Sequence, residues 1–307
     1  MTFHHVSVLL NESIEALNIS PEKTYVDGTV GGAGHSAEIA KKLTTGRLVA
    51  LDKDPDAVKT ATERLSVFPC ATVVQSDFSQ MPQVLKNLSI EKVDGIFLDL
   101  GVSSHQLDTA ERGFSYLQDA RLDMRMSQSG ISAHEIVNTY SADDLARIMR
   151  EFGEERFAWR IAQNIVKARD NAPVDTTLQL LDIIKASVPS AVKREGNPAK
   201  KTFQALRIAV NGELNSLSVA LDTAFECLNA GGRFAVITFH SLEDRMVKQK
   251  FAQYTKGCTC PPDFPVCICG KTPRAKLTPR KPIEPTAAEQ EENRRSRSAR
   301  LRVLQKL

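Results

Sequence analysis

The segment TYVDGTVGGAGHS, residues 24–36, places an acidic side chain directly before a glycine-rich turn. Its first residues have the β-propensity of a strand that ends at Asp27, and helical spacing begins at Ser36. Glycine has no Cβ, so the backbone N–H groups of such a turn can approach a ligand closely. The pattern predicts a strand, a ligand-binding turn and a helix. An ordinary tight turn of an α/β protein is the alternative.

A second acidic residue follows at a distance typical of nucleoside-binding α/β proteins. The segment GRLVALDKD predicts an apolar strand that ends at Asp52, sixteen residues after Ser36. A carboxylate in that place can accept hydrogen bonds from both hydroxyls of a ribose. The glycines of the turn do not form G-x-G-x-x-G, the motif of dinucleotide binding, and an acid precedes them. This order favours S-adenosylmethionine, whose ammonium group Asp27 could face directly or through water.

A third acidic residue, Asp99, lies at the end of the continuous apolar segment KVDGIFLDLG, residues 92–101. Beside bound S-adenosylmethionine, a carboxylate there can accept hydrogen bonds from the amine of a substrate. An exocyclic base amine needs that help because its lone pair is delocalised into the ring. We therefore predict a catalytic role for Asp99. The alternative is that its side chain caps the following turn.

A dense polar cluster ends the segment RFAVITFHSLEDR, which predicts a fifth strand. The cluster consists of His240, Ser241, Glu243, Asp244 and Arg245. A Ser–His hydrolase is one interpretation, but adjacent residues of a strand point to opposite faces, which argues against a pairing of Ser241 with His240. The cluster is therefore predicted to form a polar wall of a substrate pocket.

The elements that must position these residues alternate between strand and helix in the first third of the chain. Four predicted strands, separated by helices, end near Asp27, Asp52, Phe78 and Asp99. Such alternation predicts a mostly parallel, doubly wound α/β sheet. Ligands bind at the carboxyl ends of the strands in such a sheet, so the strand ends are expected to form one site.

The pattern changes over residues 107–200, where no convincing strand is found. Capping signals such as Ser132-x-x-Glu135, and apolar positions at helical spacing, predict an all-helical insertion. A long helix over 202–228 then leads back to the sheet. The chain is thus predicted to divide into a first core part (1–106), the insertion (107–200) and a second core part (201–307).

Positive charge is concentrated at the end of the chain. The whole chain of 307 residues has a net charge of +3, but the segment from Lys271 to Leu307 carries eleven Lys or Arg against four Glu. That segment therefore has a net charge of +7, and the preceding 270 residues sum to −4. A basic C-terminal segment suits contact with a polyphosphate, and a solvated tail is the alternative.

Basic residues of the insertion could also follow a phosphate backbone. They are Arg147, Arg150, Arg156, Arg160, Lys167 and Arg169. Acidic residues are interleaved with them along the sequence, so a solvated helix face is the stronger interpretation. No apolar run approaches 18 residues, so no membrane span is expected. The N-terminus lacks the basic region of a signal peptide, which predicts a cytoplasmic protein.

Four cysteines lie in a Cys- and Pro-rich loop predicted over residues 257–285. Cys258, Cys260, Cys267 and Cys269 form C-x-C-x6-C-x-C, and four thiols match the ligand number of tetrahedral zinc. The C-x-C spacing is less typical of zinc sites than C-x-x-C, and disulfides are disfavoured in the cytosol. The pattern leaves open a structural zinc site and a metal-free loop. No metal ligand is predicted in the active site.

Several longer segments follow one another in the order of a known family. They are HVSVLLNE, DGTVGGAGHS, LDKDPDA, DLGVSSHQLD, RGFSY, LDMRM, GEERFAWRIA, KTFQALRIAVNGEL and GGRFAVITFHSLEDR. Together with the closing basic segment, they resemble the bacterial 16S ribosomal RNA (cytosine-N4)-methyltransferase family nearly end to end. The resemblance implies a class I, Rossmann-like methyltransferase fold with a helical insertion. It also implies the substrate, the N4 amine of a cytidine in the decoding region of the small-subunit RNA.

Matched by position, the resemblance implies cofactor contacts at Ala33, Gly34, His35, Asp52, Phe78, Asp99 and Gln106. Many relatives have Gly where this chain has Ala33, and the added methyl makes the turn less permissive. The implied partners are 16S rRNA and the small ribosomal subunit, and no membrane. The oligomeric state stays open, with a homodimer among the alternatives, as does the choice between naked RNA and an assembled subunit.

Two other functions are compatible with the same sheet. A nicotinamide-dependent oxidoreductase would bind its cofactor at the same strand ends, but the broken G-x-G-x-x-G motif argues against it. A non-catalytic RNA-binding protein could keep a vestigial pocket. Incorporation of a labelled methyl group into small-subunit RNA separates the second alternative from a methyltransferase.

Overall fold

The computed structural model describes residues 7–258, 260, 266 and 268–307. The chain divides into two compact units. One, the core unit, consists of the residues up to Gly101 together with Leu214–Leu307. The other, the helical unit, is Val102–Glu213. The boundaries predicted from the sequence lay at residues 106 and 200, so the helical unit begins earlier and ends later than the predicted insertion.

The strands of the core unit form a single sheet in the described part of the chain. They are β1 (Thr24–Asp27), β2 (Arg47–Asp52), β3 (Ala71–Gln75), β4 (Val93–Asp99), β5 (Leu228–Thr238), β6 (Ala275–Leu277) and β7 (Arg300–Lys306). Their order is β3-β2-β1-β4-β5-β7-β6. The strands β1 to β5 are parallel, whereas β7 is antiparallel to β5 and β6. The predicted mostly parallel, doubly wound α/β sheet is confirmed.

Helices connect these strands and build the helical unit. They are α1 (Leu10–Leu17), α2 (Gly34–Lys41), α3 (Pro55–Leu65), α4 (Met81–Asn87), α5 (Ser104–Asp108), α6 (Ala133–Thr139), α7 (Ala142–Gly153), α8 (Ala158–Arg169), α9 (Thr177–Ser187), α10 (Ser190–Glu195), α11 (Ala199–Asn211), α12 (Glu213–Cys227), α13 (Ser241–Thr255) and α14 (Ala287–Glu292). Within the described residues, none of these helices has the length and apolar character that crossing a bilayer requires.

The central strand β4 is buried on both faces, as its continuous apolar sequence predicts. Ile96 and Leu98 pack into the apolar cluster on one face of the sheet, and Phe97 packs into the cluster on the other. The strand order reverses between β1 and β4, because the chain continues on opposite sides of β1. In doubly wound sheets the crevice at such a reversal holds the ligand.

The predicted single helix over 202–228 is wrong, because the structure divides it into α11 and α12. Gly212 ends α11 with a φ of +61°, the left-handed conformation that favours glycine at a helix C-terminus. Helix-forming residues flank Gly212 on both sides, which is why the sequence pattern continues through the break. The break lies beside the boundary between the two units, since the helical unit ends at Glu213.

Three strand predictions also need correction. The fifth strand was predicted from Arg233, but β5 begins at Leu228 and ends at Thr238, before the polar cluster. The third strand ends at Gln75, and a short 3-10 helix, Phe78–Gln80, follows it. The predicted loop over 257–285 contains β6, whose three residues are too few to give a period-two pattern.

The helical unit has its own apolar core. Its helices bury one face each, as at Leu145 and Met149 of α7 and Ile161 and Ile165 of α8. The predicted capping box of Ser132 and Glu135 is present at the start of α6. Leu181 and Ile184 of α9 and Val188 directly after it are buried, but Leu178 is 36% exposed and does not belong to the core.

Candidate functional site at the carboxyl edge of the sheet

Three acidic residues end neighbouring strands at the carboxyl edge of the sheet. Asp27 of β1 pairs with Ala50 of β2 on one side and with Phe97 of β4 on the other. Asp52 and Asp99 therefore extend two residues, or about 6.6 Å, beyond Asp27 on its two flanking strands. The turn that follows β1 begins between these two acids, so the structure brings the three sequence-predicted carboxylates to one edge.

Asp27 is 1% exposed and both of its carboxylate oxygens accept hydrogen bonds. Its Oδ2 accepts from Ser36 Oγ at 2.6 Å, and its Oδ1 accepts from the backbone N–H of Thr29 at 3.1 Å. Burial raises the pKa of Asp27 to about 6, although both hydrogen bonds oppose the shift. A cationic ligand near this carboxylate would be favoured, because it would offset the loss of hydration.

Asp52 ties the end of β2 to the glycine turn. Its Oδ2 accepts a hydrogen bond from the backbone N–H of Gly31 at 2.9 Å, and its Oδ1 accepts from the N–H of Asp54 at 2.9 Å. Burial raises the pKa of Asp52, and these two N–H groups act in the opposite direction. Each oxygen has a further lone pair, so the carboxylate can hold the turn and still accept hydrogen bonds from a ribose.

The turn itself uses two left-handed residues before α2. Gly31 has a φ of +47°, and Ala33 has a φ of +62° at the position before the helix. Glycine adopts the left-handed conformation more readily than alanine does. The conformation of Ala33 therefore agrees with the expectation that its methyl group makes the turn less permissive than the glycine of many relatives. At Gly34 a Cβ would meet Ser7 Oγ, so a larger residue there would require the Ser7 side chain to move.

One of the two carboxylate oxygens of Asp99 has no hydrogen-bond partner among the described residues. Its Oδ1 is buried and accepts no hydrogen bond from any residue that the structure describes, and its side chain as a whole is 25% exposed. Desolvation first, and then the negative charges of Asp27 and Glu243, raise the pKa of Asp99 well above its usual range. An oxygen in this state favours a ligand that donates a hydrogen bond to it.

His35 lies beside Asp99 in the first turn of α2. Its Nε2 donates to the carbonyl of Val8 at 3.1 Å, and its ring lies 4.5 Å from the ring of Phe97, centroid to centroid. Its Nδ1 lies 3.8 Å from Asp99 Oδ2, too far for a hydrogen bond. His35 is buried, with 6% exposure, and does not face solvent.

Two further predicted contacts have different surroundings. Phe78 is half-buried, and its Cβ lies 3.0 Å from the position that a Cβ on Gly28 would take, so its side chain begins beside the turn. Gln106 belongs to the helical unit, where its Oε1 accepts from the N–H of Ser103 and closes a capping box at the start of α5. The cofactor contacts predicted for both residues stay predictions.

The polar cluster begins α13 and does not belong to a strand. His240 is the residue before the helix, and its Nδ1 accepts from the backbone N–H of Glu243 at 3.4 Å. Glu243 Oε2 accepts in turn from the N–H of Phe239 at 2.9 Å and from the N–H of His240 at 3.3 Å. This capping box fixes both side chains, and His240 Nε2 lies 3.1 Å from Glu243 Oε1 without forming a hydrogen bond to any described residue.

Asp244 has a structural partner. Its two oxygens accept from Arg302 Nε at 2.7 Å and Nη2 at 3.1 Å, and Arg300 Nη1 lies 3.3 Å away. Although burial alone would raise the pKa of the Asp244 carboxyl, these arginines lower it. Asp244 therefore joins the start of α13 to β7 rather than forming a free wall of a pocket.

Sequence reasoning missed one residue that organises the edge. Thr29 follows Asp27 by two residues, and its Oγ1 accepts a hydrogen bond from the backbone N–H of Asp99 at 2.6 Å. This bond links the turn after β1 to the end of β4 and so fixes the position of Asp99. The sequence around Thr29 does not indicate this hydrogen bond, because its partner, Asp99, is 70 residues away.

Together these features define a class of protein. The sheet order β3-β2-β1-β4-β5-β7-β6 with an antiparallel β7, a glycine turn after β1 and an acid at the end of β2 is the arrangement of a class I S-adenosylmethionine-dependent methyltransferase. The sequence model of the MraW methylase family matches residues 2–307. The chain belongs to this family, and it is an S-adenosylmethionine-dependent methyltransferase.

Curated relatives match the whole chain. A protein of Clostridium botulinum strain Kyoto, named ribosomal RNA small subunit methyltransferase H, is 51% identical over 309 residues, which cover 100% of both chains. The protein of the same name from Lachnospira eligens is 53% identical over 311 residues and is covered to 99%. Among solved structures, an rRNA methylase from Streptococcus thermophilus has 11% identity and a TM-score of 0.45, with 99% of each chain covered.

Proposed function

We propose that the protein transfers a methyl group from S-adenosylmethionine to the exocyclic N4 of a cytidine in the decoding region of 16S rRNA. The observation that carries the proposal is the buried, unpartnered Oδ1 of Asp99 beside the turn that suits the cofactor. It is supported by relatives about 50% identical over the full chain that are named small-subunit rRNA methyltransferases. The substrate is then found in the cytoplasm, as part of the small ribosomal subunit or its precursor.

The chain's own residues fit the cofactor in three places. A buried Asp27 can receive the ammonium group, Asp52 keeps lone pairs for the ribose, and the turn around Gly31 leaves backbone close to the ligand. When bound, S-adenosylmethionine supplies an activated methyl group, because its sulfonium sulfur leaves as a neutral thioether. The protein therefore has to align two reactants and accept a proton.

Asp99 is the proposed contact of the reacting amine. The amine of cytosine carries two N–H donors, and the unpaired Oδ1 can accept from one of them. This bond orients the nitrogen and increases its electron density as the N–C bond forms. The nitrogen loses one proton in the reaction, and the ionised carboxylate is the acceptor that the geometry offers. The cytidine has to leave its base stack to reach this position.

Methyl incorporation tests the proposed function. The protein is incubated with S-adenosylmethionine labelled on its methyl group and with small subunits from a strain that lacks this enzyme, and the modified nucleotide is mapped by mass spectrometry. We expect one methyl group per 16S rRNA, on the N4 of a cytidine of the decoding region. A methyl group on another base, or none, would refute the proposal. Naked 16S rRNA in a parallel reaction shows which form is the substrate.

Binding of the cofactor should depend on pH through Asp27. Its carboxyl has a pKa of about 6 in the free protein, and a protonated carboxyl does not attract an ammonium group. The dissociation constant of S-adenosylmethionine should therefore stay constant from pH 7 down to about pH 6 and then rise by about tenfold for each further pH unit. Isothermal titration between pH 5 and pH 7 measures this, and Asp27→Asn should weaken the dependence, because Asp52 and Asp99 also have raised pKa values. An unchanged affinity of the wild type at pH 5 would exclude the role of Asp27.

We also propose that the cysteine loop binds a structural zinc ion. The sulfurs of Cys258, Cys260 and Cys269 lie within 4.8 Å of one another, and Cys258 Sγ is 3.7 Å from Cys269 Sγ. Two thiolates on a tetrahedral zinc ion, each about 2.3 Å from the metal, are about 3.8 Å apart. The N–H of Cys260 also donates to Cys258 Sγ at 3.3 Å. The fourth predicted ligand, Cys267, lies outside the described residues.

Metal analysis tests the zinc proposal. Protein expressed in zinc-replete medium should contain one equivalent of zinc per chain, and Cys258→Ser combined with Cys260→Ser should remove it. Cys227→Ser is the matched control, because this half-buried cysteine packs against the apolar core outside the cysteine loop and its replacement should leave the zinc content unchanged. A content clearly below one equivalent in the wild type would contradict the proposal.

A further inference from the structure

One face of α8 exposes an aromatic ring among positive charges. Trp159 is 41% exposed and is the single tryptophan of the chain. Arg160 and Lys167 of the helix and Arg156 of the turn before it are exposed as well. Positions 159, 160, 163 and 167 follow the helical repeat and share one side of α8, and Arg156 precedes the helix in the sequence. We call Arg156, Trp159, Arg160, Gln163 and Lys167 the α8 surface.

The opposite side of α8 supplies the packing of the helical unit. Ala158, Ile161 and Ile165 are fully buried in its apolar core. Trp159 therefore adds little to the core. The exposed part of the indole is available to a partner, and tryptophan is enriched at surfaces that bind one.

Acidic residues are interleaved with the basic ones along the sequence of the helical unit, but none of them lies on α8. The sequence of α8, AWRIAQNIVKAR, contains no acidic residue. Among the residues that the structure describes, Arg156, Arg160 and Lys167 form no ion pair with a carboxylate. Of the two acids before the helix, Glu155 is buried and its Oε1 accepts from the N–H of Phe157 at 2.8 Å.

A fourth cation borders the same end of the helix. Lys201 of α11 donates through Nζ to the carbonyl of Glu154 at 3.0 Å, which places its ammonium next to the start of α8. The guanidinium of Arg156 lies over the ring of Phe157, 5.3 Å from its centroid, and the residue as a whole is exposed. The exposed acids closest in sequence, Glu154 and Asp170, lie before and after the helix and not within it.

We infer that the α8 surface binds a single-stranded segment of the RNA substrate, with the Trp159 indole stacked on a base and the neighbouring cations contacting phosphates. The inference rests on the proposed function, because it assigns an RNA-contacting surface to the same enzyme. Bases of single-stranded RNA stack on exposed aromatic rings whatever their sequence, and cations along the same groove follow the backbone. The core of a protein interface is apolar and depleted of charge, and only its rim is polar, but here the residues directly around the indole are cationic and polar.

The single tryptophan makes the contact directly measurable. The full-length protein is titrated with a single-stranded oligonucleotide that copies the decoding region, and tryptophan emission is recorded. Stacking of a base on Trp159 should quench the emission in a saturable way. The affinity should fall with salt, because phosphate contacts release counterions. An emission that does not change at saturating RNA would overturn the inference.

Variants then separate stacking from charge, with binding measured by the anisotropy of labelled RNA. Trp159→Leu should weaken binding by about 5- to 100-fold, whereas Trp159→Phe, which keeps a ring, should lose far less. Arg156→Ala combined with Arg160→Ala should lower the slope of log affinity against log salt by about 1.4. The exposed Lys59 of α3 is the control, and Lys59→Ala should change neither quantity.

The outcomes distinguish this inference from the proposed function. Trp159→Leu should still methylate small subunits at saturating substrate, with a raised KM and an unchanged kcat. If its RNA affinity equals that of the wild type, the α8 surface is not an RNA contact, although the methyltransferase function stands. If the emission responds to a ribosomal protein and not to RNA, the surface binds protein and the inference is wrong. If the wild type binds RNA through Trp159 but incorporates no methyl group, the proposed function fails instead.

Discussion

Replacing Asp99 with Asn should lower the kcat of methyl transfer by about 100- to 10,000-fold, the range typical of a lost proton acceptor. The amide of Asn turns one acceptor oxygen into an N–H donor, which would face the donor amine of the substrate. It also cannot accept the proton that the nitrogen loses. The affinity for S-adenosylmethionine should change much less, because the turn and Asp52 remain intact.

The rate of methyl transfer should also depend on pH, in the direction that the raised pKa of Asp99 sets. Desolvation and the charges of Asp27 and Glu243 raise the pKa of Asp99, so the ionised form is less populated at low pH than for an ordinary carboxyl. The acceptor role requires the ionised form. The single-turnover rate of the wild type should therefore rise with pH through this raised pKa, and the residual rate of Asp99→Asn should not.

A control on the same strand isolates the effect of position. Asp94 is the second residue of β4, at the opposite edge of the sheet, where its Oδ2 accepts from the N–H of Thr24 at 3.1 Å and its Oδ1 accepts from Asn229 at 3.0 Å. Asp94→Asn makes the same chemical change on the same strand and should leave kcat unchanged. Full turnover of Asp99→Asn together with an unchanged cofactor affinity would refute the role of Asp99.

The sequence was sufficient to predict which carboxylates meet, because the constraint is topological. Parallel strands place their carboxyl ends at one edge, so an acid after each apolar segment has to lie there. The continuous apolar run before Asp99 and the spacing between the turn and Asp52 were enough for this. The prediction of one helix over 202–228 was wrong because the break depends on a single residue and not on topology. That residue is the left-handed Gly212, within otherwise good helix formers.

The sequence could not predict which hydrogen bonds the residues at the carboxyl edge of the sheet form with one another. The bond from Gly31 to Asp52 and the bond from Asp99 to Thr29 join residues 21 and 70 positions apart. A Cβ at Gly34 would meet the side chain of Ser7, 27 residues earlier in the chain. Such contacts depend on the distances between strands and turns, which no spacing of residue types records.

Asp52 should prove the strongest single determinant of cofactor affinity. Asp52→Ala should raise the dissociation constant of S-adenosylmethionine by at least about 100-fold. Two hydrogen bonds from the ribose to a charged acceptor contribute about 1.5–3 kcal/mol each. The variant also frees the N–H of Gly31, so the turn loses the bond that fixes it against β2. Calorimetry, or equilibrium dialysis for the weaker variant, measures the change.

A cofactor analogue without the two ribose hydroxyls separates these two contributions. For the wild type, removal of the hydroxyls should weaken binding strongly, whereas Asp52→Ala should bind the cofactor and the analogue with similar affinity. The difference between the two losses is the coupling energy between Asp52 and the hydroxyls. If both proteins lose the same affinity on removal of the hydroxyls, Asp52 does not touch the ribose. Its carboxylate would then act only by holding the turn through Gly31 and α3 through Asp54.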